Sequence, residues 1–286
     1  YIKNKKNDKY IFFIKGPAIK IFKRNIKNFK NNSQIKDYSK INKLIIGTSI
    51  KSKLELRYLN KANQLKIYTQ CFLDHWVYYK KKLTLNKKII LPNEFLVGDI
   101  YSKNIIKKLF KKSKVTFIKN PYLKEIKKKI DKIVKKNNNK NKLKKILYLT
   151  EPLRNQAKYL HNNYNYYKYD EFSALQNFLN FLSVINKKIS HISFVKIRFH
   201  PSENKKKYDK LFKKYEKLQL KTSKEKELVK DIVSSDFIVG CETTALVIAL
   251  IAKKKVFCSI PKNGKKSSLP YKSIMHISKL INYFDA

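Results

Sequence analysis

The chain has 286 residues, 43% of them hydrophobic and 13% aromatic, with only 5 Gly and 7 Pro. This composition excludes a disordered, collagen-like or glycine-rich linker protein, and the length supports burial of roughly three quarters of the unfolded chain's surface in one large or two ordinary domains. Lys+Arg number 67 against 20 Asp+Glu, a formal charge of +47, which by itself points to nucleic acid or an anionic membrane face. Only Arg24, Arg57, Arg154 and Arg198 are arginine, however, and the lysine excess travels with Asn, Ile, Tyr and Phe, the mixture that an AT-rich coding sequence produces. Specific nucleic-acid recognition relies on the planar guanidinium, so no specific nucleic-acid partner is expected. The lysines read as a solvated coat, with peripheral attraction to an anionic membrane or to phosphate substrates left open.

Read in chain order, short apolar runs alternate with longer amphipathic ones, the pattern of parallel βαβ units. The spacing predicts strands at 10–14, 44–46, 65–69, 89–91, 94–97, 115–118, 146–149, 194–199, 237–239 and 256–259. It predicts helices at 102–110, 122–135, 171–187, 205–218, 226–234 and 243–253. Residues 135–145, KKNNNKNKLKK, have nothing to bury and read as a linker or hinge. The expected fold class is therefore α/β, with two Rossmann-like domains, 1–138 on the acceptor side and 139–286 on the nucleotide-donor side, facing across a cleft. Gly16, Gly47, Gly98 and Gly240 each follow a predicted strand. Glycine there permits positive φ and close approach to a ligand, although strand-to-helix turns also need glycine for their own geometry.

Cys71, Cys241 and Cys258 are odd in number and lack C-x-x-C spacing, so neither a disulfide framework nor a zinc site is suggested and a reducing, cytoplasmic setting is expected. The longest apolar stretch, 245–252, is too short to span a bilayer. No signal-peptide pattern opens the sequence, which begins at Tyr1 rather than Met and leaves room for a longer parent chain. P-loop, H-E-x-x-H and G-x-S-x-G motifs are absent.

The segment from Asp236 to Leu250, DFIVGCETTALVIAL, reads as a buried strand ending at Gly240 and a helix beginning near Thr243. The N–H groups of such a first turn bind phosphate, Thr243 and Thr244 add hydroxyls, and Glu242 is placed to accept from ribose; plain helix capping explains the same residues. In Phe194 to Glu203, FVKIRFHPSE, Pro201 fixes a turn that presents His200 at a strand's carboxyl end. There it can donate to a phosphate oxygen or protonate a leaving group. Arg198 shares its strand face by the two-residue period, and Ser202 lies close by. Just past an amino-half strand, Asp74 or His75 could serve as general base, while Trp76, Tyr78 and Tyr79 stack on a sugar or fill the core. Glu151 and Arg154, in LTEPLR after the first strand of the carboxyl half, are candidates for a donor-binding loop. Asp170 and Glu171 read as helix-capping residues, and the lysine runs at 80–82 and 205–207 as solvated faces.

Taken together, Arg198-Phe-His200-Pro201, the run from Asp236 through Glu242-Thr243-Thr244-Ala-Leu, and residues 256–261 resemble the nucleotide-binding half of GT-B-type bacterial transferases that build surface polysaccharides. The two motifs are similar to the His-Pro and paired-serine motifs of bacterial polysialyltransferases and CDP-glycerol glycerophosphotransferases, with Glu-Thr-Thr standing where those families have serines. The resemblance implies a GT-B architecture, a cytidine nucleotide held by His200 on its phosphate with Thr243 and Thr244 at the helix terminus, and a glycosyltransferase acting on a surface glycan. The expected donor is a CMP- or CDP-activated sugar, the acceptor a glycan or lipid-linked glycan. No metal or cofactor is expected, the nucleotide-sugar being a substrate. In this scheme Asp74 removes the acceptor proton while His200, Arg198 and the Thr243 terminus stabilise the departing phosphate. Glycerol- or ribitol-phosphate transfer, nucleotide-sugar 2-epimerisation and non-catalytic polyanion binding are the alternatives.

Overall fold

A parallel strand buried on both faces needs a nearly continuous apolar run, and Glu94–Val97 and Phe237–Gly240 are such runs, every residue of each being buried in the computed structural model. The structure describes residues 9–16, 18–35, 37–136, 144–186, 192–218 and 220–283. They form two compact units, Tyr1–Asn120 and Pro121–Ala286.

In the first unit, α1 (Ala18–Asn25) precedes β1 (Lys43–Ile46), α2 (Leu54–Gln64), β2 (Tyr68–Leu73), α3 (Tyr79–Lys82), a hairpin of β3 (Thr84–Leu85) and β4 (Lys88–Ile89), β5 (Glu94–Val97), α4 (Ile100–Leu109) and β6 (Lys114–Phe117). The sheet runs β1-β2-β5-β6 with every pair parallel. Asn86 and Lys87 both take positive φ, as a two-residue hairpin turn requires. Leu56 and Leu59 of α2, Ile106 of α4 and Phe95 of β5 meet in one apolar core.

In the second unit, α5 (Pro121–Lys136) leads to β7 (Lys144–Leu149), α6 (Leu153–His161), α7 (Glu171–Asn186), β8 (Ile192–Arg198), α8 (Asp209–Lys214), β9 (Leu220–Thr222), α9 (Leu228–Val233), β10 (Phe237–Gly240), α10 (Thr244–Ile251), β11 (Lys255–Cys258) and β12 (Ile274–His276). Its parallel sheet is ordered β12-β11-β10-β7-β8-β9. This is the doubly wound order of a six-stranded Rossmann sheet, and the direction of winding reverses between β7 and β10. The two-residue period of β7 divides the core. Ile146 and Tyr148 pack with α7, while Leu147 and Leu149 pack with Leu246 of α10, Ile232 of α9, and Ile126 and Ile130 of α5.

The α/β class with parallel sheets is as expected, whereas several boundaries differ. Because α5 packs on α9 and α10, the units divide ahead of that helix rather than at 138/139. Most of the proposed linker, 137–143, lies outside the described residues. The expected strand at 10–14 is reduced to a single bridge between Phe12 and Asn31. The expected strand at 65–69 begins only at Tyr68, since Lys66 takes φ 55° in the turn leaving α2. The helix expected at 205–218 is a 3-10 turn, Lys205–Tyr208, followed by the short α8. Of the four glycines expected to relax a strand end, only Gly16 has positive φ. At Gly240 the missing side chain serves packing, because a Cβ there would lie 3.3 Å from Leu246 Cδ2 and 3.4 Å from the Leu149 carbonyl oxygen.

Candidate functional site

In a doubly wound sheet the reversal of winding opens a crevice at the carboxyl ends of the two strands concerned. In the second unit that edge is formed by Thr150 and Glu151 after β7, the His200 turn after β8, and residues 241–244 between β10 and α10. Most of the residues singled out from the sequence stand on it.

His200 is exposed and held by a network that the sequence alone does not display. Glu203 N–H donates to the His200 carbonyl at 2.9 Å, closing a turn with Pro201 at its second position. The His200 N–H donates to Thr150 Oγ1 at 3.0 Å, and the Thr150 hydroxyl donates in turn to Glu203. The ring's Nδ1 faces two donors of Ser202, the hydroxyl at 2.7 Å and the N–H at 3.3 Å. With Nδ1 accepting, the neutral ring carries its proton on Nε2. Burial alone would raise the Glu203 carboxyl, but Lys207, Thr150 and Tyr208 hydrogen-bond it and hold it below the usual carboxylate range. Lys207 bridges Glu171 at 2.6 Å and Glu203 at 2.7 Å. The solvated reading of the lysine run at 205–207 is therefore corrected at Lys207, and Glu171 is an ion-pair partner as well as the start of α7. Asp170 does cap that helix, accepting from Ser173 N–H at 2.8 Å.

The β10–α10 turn differs most from expectation. Glu151, only 6% exposed, reaches across from β7, and its Oε1 accepts from Cys241 N–H at 2.9 Å and from Glu242 N–H at 3.0 Å. The chain's own carboxyl thus occupies the two N–H groups just ahead of the α10 N-cap, and Glu151 is a buried bridge rather than a ligand-contacting loop residue. Burial pushes this carboxyl up to about 7 against the opposing pull of the two N–H groups. Glu242 is also committed, accepting at 3.0 Å from both the N–H and the hydroxyl of Ser268 in the β11–β12 connection. Thr243 is the N-cap of α10, its hydroxyl accepting from Ala245 N–H at 3.3 Å. Among the described residues nothing hydrogen-bonds the Thr244 hydroxyl. Thr244 opens α10, whose first N–H groups have no intrahelical partner.

Arg198 and His200 do not act as a pair. The two-residue period holds only inside the strand, and Arg198 is the last residue of β8 while His200 lies in the turn beyond it. The Arg198 guanidinium is sunk against α9, donating to Asp231 at 2.6 Å and to the carbonyls of Glu225 and Lys226. Arg154 stands at the start of α6, its guanidinium 5.8 Å from the Tyr164 ring centre. It borders an open depression of about 430 Å³ with Tyr164, Lys168 and Asp170.

In the first unit, Asp74 directly follows β2 and is exposed, 3.1 Å from the ammonium of the buried Lys82. The solvated reading of residues 80–82 is corrected at this lysine. Trp76 is buried, its Nε1–H donating to Asp99 at 3.0 Å, and Tyr79 lies in the core. Among the described residues there is no group of three or more His, Cys, Asp or Glu side chains that could hold a metal ion, and no helix is long and apolar enough to cross a membrane.

Thr150, Glu203 and Lys207 were not singled out from the sequence. The one local signal was the acidic residue three positions after His200, the spacing of a turn that bonds back to its own start.

No protein-family model and no curated protein matches the chain. Among solved structures it is similar to UDP-GlcNAc 2-epimerase from Methanocaldococcus jannaschii, at 13% identity and a TM-score of 0.47 over 76% of this chain, and it spans 60% of the epimerase's length. It is also similar to KpsC of Thermosulfurimonas dismutans, a beta Kdo 2,4 transferase, at 7% identity and a TM-score of 0.30, covering 74% of this chain and 78% of that one.

Proposed function

We propose that the carboxyl edge of the second sheet binds a nucleotide-activated sugar, and that the chain transfers the sugar to a glycan acceptor. The observation that carries this reading is the His200 ring, fixed through Nδ1 with its Nε2–H left to donate, beside the point where the sheet's winding reverses. His200 Nε2–H and the Thr244 N–H and hydroxyl are the donors that remain for the donor's phosphate. Arg198, Glu151 and Glu242 act behind them, by holding the edge in shape.

In the proposed step, the bond from the anomeric carbon to the phosphate oxygen breaks as the acceptor oxygen bonds that carbon. The acceptor's proton passes to water, and the nucleotide leaves with its new negative charge hydrogen-bonded by His200. The nucleotide-sugar is a substrate in this scheme, and a cytidine nucleotide is the first donor to test.

The test is calorimetric titration of CMP, CDP, UDP and GDP at two salt concentrations, on wild type and His200→Ala. Saturable binding of one nucleotide that survives raised salt and weakens about tenfold or more in the variant supports the reading. Binding indifferent to the base, equal in the variant and erased by salt refutes it, leaving only the lysine coat. Incubation with the sugar conjugate of the bound nucleotide and no acceptor separates the alternative: release of an altered nucleotide-sugar would assign the site to epimerisation instead.

A further inference from the structure

The first described residues form a small substructure joined to α2 through Phe13, whose ring centre lies 4.8 Å from that of Tyr58. Asn31 holds Ile14 in both directions, its Nδ2 donating to the Ile14 carbonyl at 2.9 Å and its Oδ1 accepting from the Ile14 N–H at 2.8 Å. Asn32 N–H donates to the Phe12 carbonyl at 2.8 Å. The loop closed in this way carries α1, and the rings of Phe12, Phe22 and Phe29 pack with centres 5.2 to 5.8 Å apart. Despite its richness in Ile and Phe, none of the described residues from 9 to 35 is buried. Ile11 is 61% and Ile21 58% exposed. An apolar knot that closes on itself without burying one side chain leaves its outer surface to be covered by something else.

Charge indicates what covers it. At 3.6 residues per turn, Ile19, Ile21, Phe22 and Ile26 fall on one arc of α1 and its continuation, and Lys20, Lys23 and Arg24 on the opposite arc. No Asp or Glu occurs from 9 to 36, whereas basic residues stand at 9, 15, 20, 23, 24, 27, 30 and 36. An anionic bilayer surface answers both features, with acyl chains for Ile11, Ile21 and the phenylalanine knot and negative headgroups for the flanking cations. We propose that the segment from Ile11 to Lys30 docks the chain on an anionic lipid surface. This goes beyond the sugar-transfer reading and does not depend on it.

The experiment is co-sedimentation of the full chain with vesicles of phosphatidylcholine alone and of equimolar phosphatidylcholine and phosphatidylglycerol, at physiological and raised salt. The lysine coat binds anionic vesicles through charge alone, so the deciding comparison is Ile11→Ser/Ile21→Ser, which leaves the charge unchanged. Both positions are exposed, and an unchanged melting temperature checks the fold of the variant. The proposal expects wild type to bind the mixed vesicles and the double variant to partition about tenfold less, the difference persisting in raised salt where Coulombic attraction is screened. Lys20→Glu/Lys23→Glu should weaken binding at physiological salt more than at raised salt. Equal binding of wild type and the Ser variant overturns the proposal, since charge alone would then explain it, as does absence of binding to the mixed vesicles. A wild-type dimer that Ile11→Ser/Ile21→Ser converts to monomer also overturns it, assigning the surface to a second copy of the chain.

Discussion

Substituting Glu151 by Gln tests how the edge of the second sheet is held together. Two influences compete at this carboxyl. Burial raises it, the neighbouring Glu242 carboxylate raises it further, and the N–H groups of Cys241 and Glu242 favour the ionised form. The result is a group near about 7 in the folded chain against an ordinary value of 4.5. Between those two values the unfolded chain has given up the proton while the folded chain keeps it, so stability falls as pH rises and levels off above 7. At about 1.4 kcal/mol per unit the loss is about 3 kcal/mol. Gln cannot ionise and escapes that loss. Denaturant titrations of the second unit's unfolding followed by far-UV circular dichroism, at pH values from 4 to 8, should therefore show Glu151→Gln gaining about 3 kcal/mol on wild type across the interval, whatever the offset at its acid end. Taking the difference between variant and wild type cancels the titration of the remaining acidic residues. A difference that does not change with pH would refute the reasoning. A change of opposite sign would mean that the two N–H groups outweigh burial and that the carboxyl is ionised throughout the range.

Three further outcomes are expected. Asp231, 1% exposed, accepts from Arg198 and Lys196 between β8 and α9, so Asp231→Ala leaves two half-buried cations without their counter-charge and should cost about 3–5 kcal/mol in denaturant titration. A Cβ on Gly264 would sit 2.7 Å from both Ile260 Cγ2 and Tyr169 Cδ1, so Gly264→Ala should lose about 1–3 kcal/mol through overpacking, read as a lowered Tm. Glu242→Ala removes the acceptor that ties the β11–β12 connection to the β10–α10 turn, and the Ser268 amide should then exchange its hydrogen about tenfold faster.

How far the fold could be read from the sequence follows from how local each determinant is. FIVG at Phe237–Gly240 is apolar at every position, and that continuity is what a parallel strand buried on both faces demands, so β10 and the helix after it were legible. β9 is three residues long with two of them exposed, and neither alternation nor an apolar run marks it. The helix 153–161 opens on Pro152 without a side-chain cap, and its start therefore lacks the usual signal. The position of His200 was legible because Pro201 dictates the turn locally. The atoms that orient its loop were not, since Thr150 is 50 residues away and meets the turn only once β7 and β8 are paired.

Glu151 carries the same argument to its end. By sequence it is one acidic residue after a strand, equally suited to a ligand, a cap or solvent. Its role is fixed by Cys241, 90 residues further on, which reaches it only because the winding order sets β10 beside β7. The N–H groups of Cys241 and Glu242, just ahead of α10, are therefore spent inside the protein. A doubly wound sheet brings distant strand ends together at its reversal point, so the residues of such a site are legible one by one while their division of labour is settled only by topology.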